Sequence, residues 1–325
     1  MTKSNKKFSI FYSNSLIFIA ICTIIALYLL NPSDYISAGV NGLNVWAYKL
    51  VPTLLPFMIF TKLLISTGIP DAFGNKISRY TSTIYGAPGC GSYVYILSVL
   101  SGYPMNAKLI CDLYNYNKIN TKEAKQIFSF TSTSGPVFII ATVGIAIFNN
   151  FKLGVLVLIC HMLGALLNGL LYRKKLQKTT DLLVKTNNYD IQSIVSDSIN
   201  SMIIICVYII IFFILITMLN NTNFYNLIIS FLSNTFGVNA NIITAILNGF
   251  VEITRGCIDL NLCTINFDIK VIVLTAIISF GGLSTIMQSY SFVKHTGVKF
   301  TNILIMKFTQ CIISTLIAIV IILIL

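Results

Sequence analysis

Two interrupted apolar segments, 147 positions apart, constrain the fold of this chain more than any other feature. Leu100 to Tyr103 has the sequence Leu-Ser-Gly-Tyr, and Leu247 to Phe250 has the sequence Leu-Asn-Gly-Phe. In both copies a cation and then the pair Asp-Leu follow. The next apolar run of each copy contains a break with Ser and Gly, and these two breaks are also 147 positions apart. Paired helix-breaking elements that carry charge are typical of membrane transporters built from internal repeats. Chance similarity in an apolar chain punctuated by Gly and Ser is the alternative.

The composition places this chain in a membrane. Hydrophobic residues make up 56% of its 325 residues, charged residues make up 10%, and the mean hydropathy is +0.83. Several apolar runs approach the length that spans a bilayer, so the prediction is an all-α polytopic membrane protein in contact with lipid. The net charge of +12 does not indicate nucleic-acid binding, because the cations lie in short loops between apolar runs.

The apolar runs predict about seven spans and two re-entrant hairpins. The predicted spans cover about 8–30, 50–67, 127–148, 151–172, 194–219, 269–290 and 302–325, and the hairpins cover about 87–110 and 224–258. Most of the 22 lysines and arginines then lie on one side, which places the N-terminus in the cytoplasm. Hairpins that cross the bilayer completely are an open alternative, because counting them as crossings changes the side of neither terminus.

Four segments follow from this assignment. Residues 1–30 form an N-terminal anchor helix, 45–172 a first repeat, 173–190 a basic cytoplasmic linker, and 191–325 a second repeat. Each repeat crosses the membrane three times, so the second is inverted relative to the first. Inverted repeats place the substrate site at their interface near the midplane, where broken helices present free backbone groups.

The first copy offers a hairpin tip with polar neighbours. Gly102 permits positive φ and the proline after Tyr103 lacks an amide donor, so a helix cannot continue undisturbed from Ser101. Asn106 and Lys108 would project from the first turn of the helix that follows. A plain helix kink, and a Lys108 side chain that extends to the cytoplasmic surface, are the alternatives.

Both copies have a break in the span after the hairpin. Ser132, Thr133 and Ser134 precede Gly-Pro, and their hydroxyls can contact an ion or solute or can replace the hydrogen bonds that the proline removes. Close helix packing through glycine is the alternative in the second copy. The candidate binding residues there are Gly281, Gly282, Ser284 and Gln288.

The second hairpin carries an acid inside an apolar segment. Glu252, Thr254 and Arg255 are candidate binding residues, because ionisable residues within the membrane are expensive and usually functional. Glu252 and Arg255 are three positions apart, so a structural ion pair between them is the alternative.

Catalytic and metal chemistry find little support. The eight cysteines contain no C-x-x-C pair, and the two histidines form no metal-ligating pattern. No phosphate-binding glycine loop is present. The chain is therefore not expected to be an enzyme or to need a cofactor or metal, and a coupling ion (Na⁺ or H⁺) and a homo-oligomer are left open.

The four motifs resemble those of the YlbJ family of sporulation integral membrane proteins. These motifs start at Leu100, Ser132, Gly249 and Ser279. That family is placed in the nucleoside-recognition or Gate group, which is distantly similar to concentrative nucleoside transporters. The resemblance implies substrate contacts from both hairpin tips and both broken helices. It also implies movement of dipicolinic acid across the mother-cell-derived outer forespore membrane during sporulation.

The predicted function is therefore transport of dipicolinic acid, a small anionic aromatic dicarboxylate. Lys108, Arg255, Asn106, the Ser/Thr cluster and half-helix N-termini are the available donors. A nucleoside or small-solute transporter coupled to Na⁺ or H⁺, in which Glu252 contacts ribose or the proton, is one alternative. A non-transporting membrane partner in spore formation is another.

Overall fold

The structure is a computed structural model that describes residues 15, 18–19, 21–67, 69–173 and 190–325. All regular elements in these ranges are helical, so the predicted all-α class is confirmed. The basic N-terminal tail, part of the predicted anchor helix and residues 174–189 of the predicted linker lie outside the described residues.

Helices fill both halves of the chain. Residues 21–173 contain α1 (Ile21–Leu30), α2 (Pro32–Val45), a π-helical turn (Trp46–Leu50), α3 (Val51–Ser66), α4 (Ile69–Tyr85), α5 (Cys90–Ser101), α6 (Met105–Asn115), α7 (Thr121–Thr131), a π-helix (Val137–Ile147) and α8 (Phe151–Leu171). Residues 190–325 contain α9 (Ile191–Asn220), α10 (Asn223–Phe236), α11 (Ala240–Val251), α12 (Ile253–Asn261), α13 (Phe267–Phe280), α14 (Gly282–Val293), a 3₁₀ turn (Lys294–Thr296) and α15 (Phe300–Ile324).

Five helical segments of the described chain are long and apolar enough to cross a membrane. They are Pro32–Leu64, Phe151–Leu171, Ile191–Asn220, Phe267–Thr296 and Phe300–Ile324. Large apolar side chains remain exposed along these helices, as Ile203 on α9 and Leu316 on α15 do, which suits a lipid environment. The chain is a multi-pass integral membrane protein.

Two predicted boundaries are wrong. The predicted span 50–67 is the second part of a longer helical segment that begins at Pro32, where the fixed φ of proline suits the first helical position. The predicted second hairpin, 224–258, is interrupted at Gly237, which has a φ of +63° and ends α10. The hairpin proper is α11 and α12, and α10 is a separate helix with exposed Phe224 and Phe231.

Helices end at each of the predicted interruptions. Gly102, with a φ of +68°, ends α5, and the segment from Ser132 to Pro136 separates α7 from the π-helix. Gly281, with a φ of +89°, separates α13 from α14. In the second hairpin no proline is present, and the break is a single extended residue, Glu252, between α11 and α12.

Each hairpin tip packs against the break in the broken helix that follows it. A Cβ atom on Gly102 would lie 2.7 Å from the backbone nitrogen of Gly135, in the first broken helix. A Cβ atom on Gly282, in the second broken helix, would lie 3.1 Å from the backbone nitrogen of Ile253. Backbone therefore meets backbone at both places, and irregular segments are buried against protein as membrane-embedded backbone requires.

Candidate solute-binding site

A cavity of about 90 Å³ lies where the two hairpin tips and the two broken helices meet. Eight of the predicted site residues line it: Ser101, Gly102, Tyr103, Ser134, Glu252, Thr254, Ser284 and Gln288. Its apolar wall comes from α3 and α9, with Leu54 and Phe57 on one and Ile205 and Ile209 on the other. One water needs about 10–15 Å³ on this scale, so the cavity has room for several waters or a small solute.

Several buried polar atoms at the first tip and first break have no hydrogen-bond partner. They are the hydroxyls of Ser101, Ser132, Thr133 and Ser134 and both amide atoms of Asn106. Buried polar groups in proteins are normally paired, because an unpaired one costs free energy comparable to a lost hydrogen bond. A cluster of them beside a cavity is what a site for a polar solute, an ion or ordered water requires.

Helix N-termini also face the cavity. Val137 at the start of the π-helix, Ile253 at the start of α12 and Ser284 in the first turn of α14 all line it. The N-terminal end of a helix carries partial positive charge and unpaired N–H groups, which favours anionic ligand atoms. Three helix starts therefore add partial positive charge to the lining, whereas the C-terminal end of α5, at Leu100 and Ser101, adds partial negative charge.

Glu252 supplies the one carboxylate in the cavity lining, as far as the described part of the chain forms it. Its side chain is buried, with 3% exposed, and accepts a hydrogen bond of 2.7 Å from the backbone N–H of Arg255. This contact makes Glu252 the N-cap of α12, where negative charge interacts favourably with the helix dipole.

Arg255 lies outside the cavity and pairs with Asp259 instead of Glu252. Its Nε atom is 2.9 Å from Oδ1 of Asp259, and its guanidinium lies 5.6 Å from the centre of the Phe213 ring. Asp259 also accepts a hydrogen bond of 2.7 Å from the amide of Asn248. The alternative of a side-chain ion pair between Glu252 and Arg255 is therefore wrong.

Lys108 lies in a different place from the other first-copy residues. It lines a second cavity, also of about 90 Å³, together with Lys62, Asp112 and Asp197. Nζ of Lys62 is 3.9 Å from Oδ2 of Asp197 there. The structure therefore does not bring Lys108 together with Ser101 or Glu252.

Sequence reasoning missed a buried lysine on α15. Lys307 is 1% exposed and donates hydrogen bonds to the Tyr103 hydroxyl, to the Ser132 carbonyl at 3.2 Å and to Oε1 of Gln310 at 2.8 Å. Its Cε atom would be 3.1 Å from a Cβ atom on Gly281. It thus contacts the first tip and both breaks, and the general rule for ionisable residues within membranes was the signal that could have found it.

His161 on α8 is a second buried group that sequence reasoning left without a role. The backbone N–H of Ser134 donates to Nε2 of His161 at 3.0 Å, and Nδ1 lies 2.9 Å from Oγ of Ser279. Because Nε2 accepts, Nδ1 carries the proton of a neutral ring and donates to Ser279. The imidazole therefore ties the first break to the end of α13, and no group of metal-ligating side chains occurs in the described ranges.

Comparison with known proteins finds a sporulation protein. The chain is 26% identical over 308 residues to the sporulation integral membrane protein YlbJ of Bacillus subtilis (strain 168), covering 86% of this chain and 76% of that protein. The predicted resemblance to YlbJ is confirmed. No family model matches the chain, and no solved structure matches it.

Proposed function

We propose that this protein is a membrane transporter of a small anionic aromatic dicarboxylate, dipicolinic acid, during sporulation. The observation that carries the proposal is the cavity shared by both hairpin tips and both broken helices. Its apolar walls suit the faces of an aromatic ring, and the helix starts and unpartnered hydroxyls around it suit carboxylate oxygens. The name of its relative supports a role in sporulation, and we place the protein in the outer forespore membrane with its N-terminus in the cytoplasm.

The order of helices supports a repeated set of elements within each of the predicted repeats, 45–172 and 191–325. A helix, a two-helix hairpin, a broken helix and a long span follow one another from α4 to α8 and again from α10 to α15. In the first set the hairpin is α5 and α6, and in the second it is α11 and α12. Hairpins that enter from opposite sides and meet at their tips would give a central site access to each side in turn, as alternating access requires.

One observation favours a second candidate, a nucleoside or small-solute transporter coupled to a cation. The described residues that line the cavity include the Glu252 carboxylate and no lysine or arginine. A carboxylate accepts hydrogen bonds from sugar hydroxyls and binds protons or Na⁺, but it repels a dianion.

Uptake into proteoliposomes tests the two candidates against each other. Vesicles with the purified protein should accumulate labelled dipicolinate, and unlabelled dipicolinate but not uridine should compete. Uptake of uridine without uptake of dipicolinate would favour the second candidate, and uptake of neither would contradict both.

The variant Glu252→Gln sharpens this comparison because glutamine keeps an oxygen that can cap α12. Loss of the negative charge should leave dipicolinate uptake unchanged or raise it. If the carboxylate instead binds ribose, the affinity for uridine should fall by about tenfold or more in this variant, which is the scale of a hydrogen bond to a charged group.

A further inference from the structure

We propose that Lys307 is the counter-charge that makes the cavity select anions, acting on the solute through Tyr103. This inference rests on the proposed function and assigns a positioning role to a residue outside the cavity lining. It starts from a cation that is enclosed by protein within the helices, 1% exposed, at the junction of a hairpin tip and both helix breaks.

Lys307 has no ion-pair partner among the residues that the structure describes. In the described ranges, ion pairs join Lys62 to Asp197 and Arg255 to Asp259, and no carboxylate lies within 4 Å of Lys307. A buried ammonium without an anion is expensive, because its hydration is lost and no Coulomb attraction replaces it. A protein that retains such a group has a use for it that goes beyond packing.

The surroundings of Lys307 match a protonated amine. An ammonium has three donors and no acceptor, and Nζ has three acceptors: the Tyr103 hydroxyl, the Ser132 carbonyl and Oε1 of Gln310. The Tyr103 proton is already used, because that hydroxyl donates to the Ser132 carbonyl at 2.9 Å. The Tyr103 oxygen therefore accepts from Lys307, and the neutral dipoles orient the cation without neutralising it.

Tyr103 connects this cation to the solute cavity. The Lys307 ammonium lies 5.0 Å from the centre of the Tyr103 ring, and Tyr103 lines the cavity. Tyr103 thus contacts both the charge and the cavity, and in a medium of low dielectric constant a charge acts over longer distances than in water. An anion in the cavity would compensate this charge further, beside Glu252, the carboxylate that lines the same cavity.

A series of ligands that differ in charge tests this role. The probes are dipicolinate with two carboxylates, pyridine-2-carboxylate with one, and pyridine-2,6-dimethanol with none, and their affinities are measured on the full-length protein in nanodiscs. Lys307→Met removes the charge and keeps much of the length, Lys307→Arg keeps the charge, and Lys294→Met removes an exposed lysine as a control for net charge.

We expect Lys307→Met to weaken dipicolinate binding by about tenfold or more, the scale of a hydrogen bond to a charged group. The monocarboxylate should lose less, the neutral diol should be unaffected, and Lys307→Arg should retain most of the affinity for the dianion. Lys294→Met should bind all three ligands as the natural protein does. A purely structural role for Lys307 would instead weaken all three ligands equally.

If Lys307→Met loses affinity equally for all three ligands, or loses none, the inference is overturned. The proposed transport of dipicolinate is not affected by either result. A natural protein that binds none of the carboxylates would overturn the proposed function and this inference together. If Lys307→Met does not reach the membrane, the affinities of the natural protein for the three ligands test the inference. Tighter binding of the neutral diol than of the dianion would overturn it.

Discussion

At the scale of single residues, the second hairpin separates two charged groups that the sequence places three positions apart. Glu252 caps α12 through the backbone of Arg255, whereas the Arg255 side chain pairs with Asp259. Both members of this ion pair are mostly buried, with 26% and 15% of their side chains exposed, so breaking the pair should matter for stability.

We predict that Arg255→Gln lowers the free energy of unfolding by on the order of 1–3 kcal/mol, because Asp259 keeps its charge and loses its cation. The double variant Arg255→Gln/Asp259→Asn should recover most of that loss. Thermal unfolding in detergent measures both effects. Recovery in Glu252→Gln/Arg255→Gln instead would mean that Glu252 is the true partner of Arg255.

The unpartnered hydroxyl of Ser134 allows function to be separated from stability. We predict that Ser134→Ala leaves the unfolding temperature unchanged or raises it, since no hydrogen bond is lost and a buried polar atom is removed. Solute uptake should nevertheless fall, because Ser134 lines the cavity.

Ser129→Ala is the matched control for this variant. Ser129 is equally buried, but its hydroxyl already donates to the Gln126 carbonyl at 2.7 Å, and it does not line the cavity. This control should retain uptake at a small cost in stability. Normal uptake by Ser134→Ala, or equal loss in both variants, would exclude Ser134 from the binding site.

Sequence reasoning identified the residues that break helices more readily than the residues that meet across the core. Gly102 and Gly281 were predicted because their local chemistry alone disfavours a helix. Lys307 and Tyr103 are 204 positions apart, and no local pattern indicates that they touch. The pairing of Arg255 with Asp259 was missed for a related reason, since spacings of three and four are both allowed on a helix.

At the scale of elements, the close approach of the first hairpin tip to the first broken helix should tolerate added atoms poorly. We predict that Gly102→Ala abolishes transport, because a Cβ atom would meet the backbone nitrogen of Gly135 at 2.7 Å and the φ of +68° disfavours side chains. Membrane abundance should fall less than transport, because the spans themselves are unchanged.

Gly237→Ala is the control for backbone strain alone. Gly237 has a similar φ of +63°, but nothing lies within 4 Å of the added Cβ atom. This variant should cost about 1–2 kcal/mol of stability and retain transport. If both variants transport normally, the hairpin tip does not need its contact with Gly135.

The elements that sequence reasoning misplaced are those whose ends depend on surroundings. Hydropathy did not separate α10 from the second hairpin, because both are apolar and only the three residues from Gly237 to Asn239 lie between them. No proline marks the break before α12 in the sequence, because Val251 stands where the first copy has Pro104. In the structure Glu252 makes that break by leaving the helix and capping the next one.

At the scale of the whole molecule, the two halves meet through polar contacts. His161 on α8 lies between Ser134 of the first break and Ser279 of α13, and Lys307 on α15 donates to the Ser132 carbonyl of the first break at 3.2 Å. A site shared between the halves changes shape whenever they move relative to each other. This geometry is the one that an alternating-access transporter needs, provided that the second half is inverted relative to the first.

Inversion of the second half predicts that the two hairpins open to opposite sides of the membrane. Tyr116 follows α6 with 73% of its surface exposed, and Leu262 follows α12 with 80% exposed, so these residues occupy equivalent ends of the two hairpins. On a background in which the eight natural cysteines are replaced, Tyr116→Cys and Leu262→Cys can be labelled with a membrane-impermeant maleimide. Tyr116→Cys should react only from the cytoplasmic side and Leu262→Cys only from the opposite side, because two hairpins related by inversion enter from different faces. Reaction of both cysteines from the same side would exclude the inverted arrangement, whereas protection of both until the membrane is dissolved would mean that neither hairpin end reaches water.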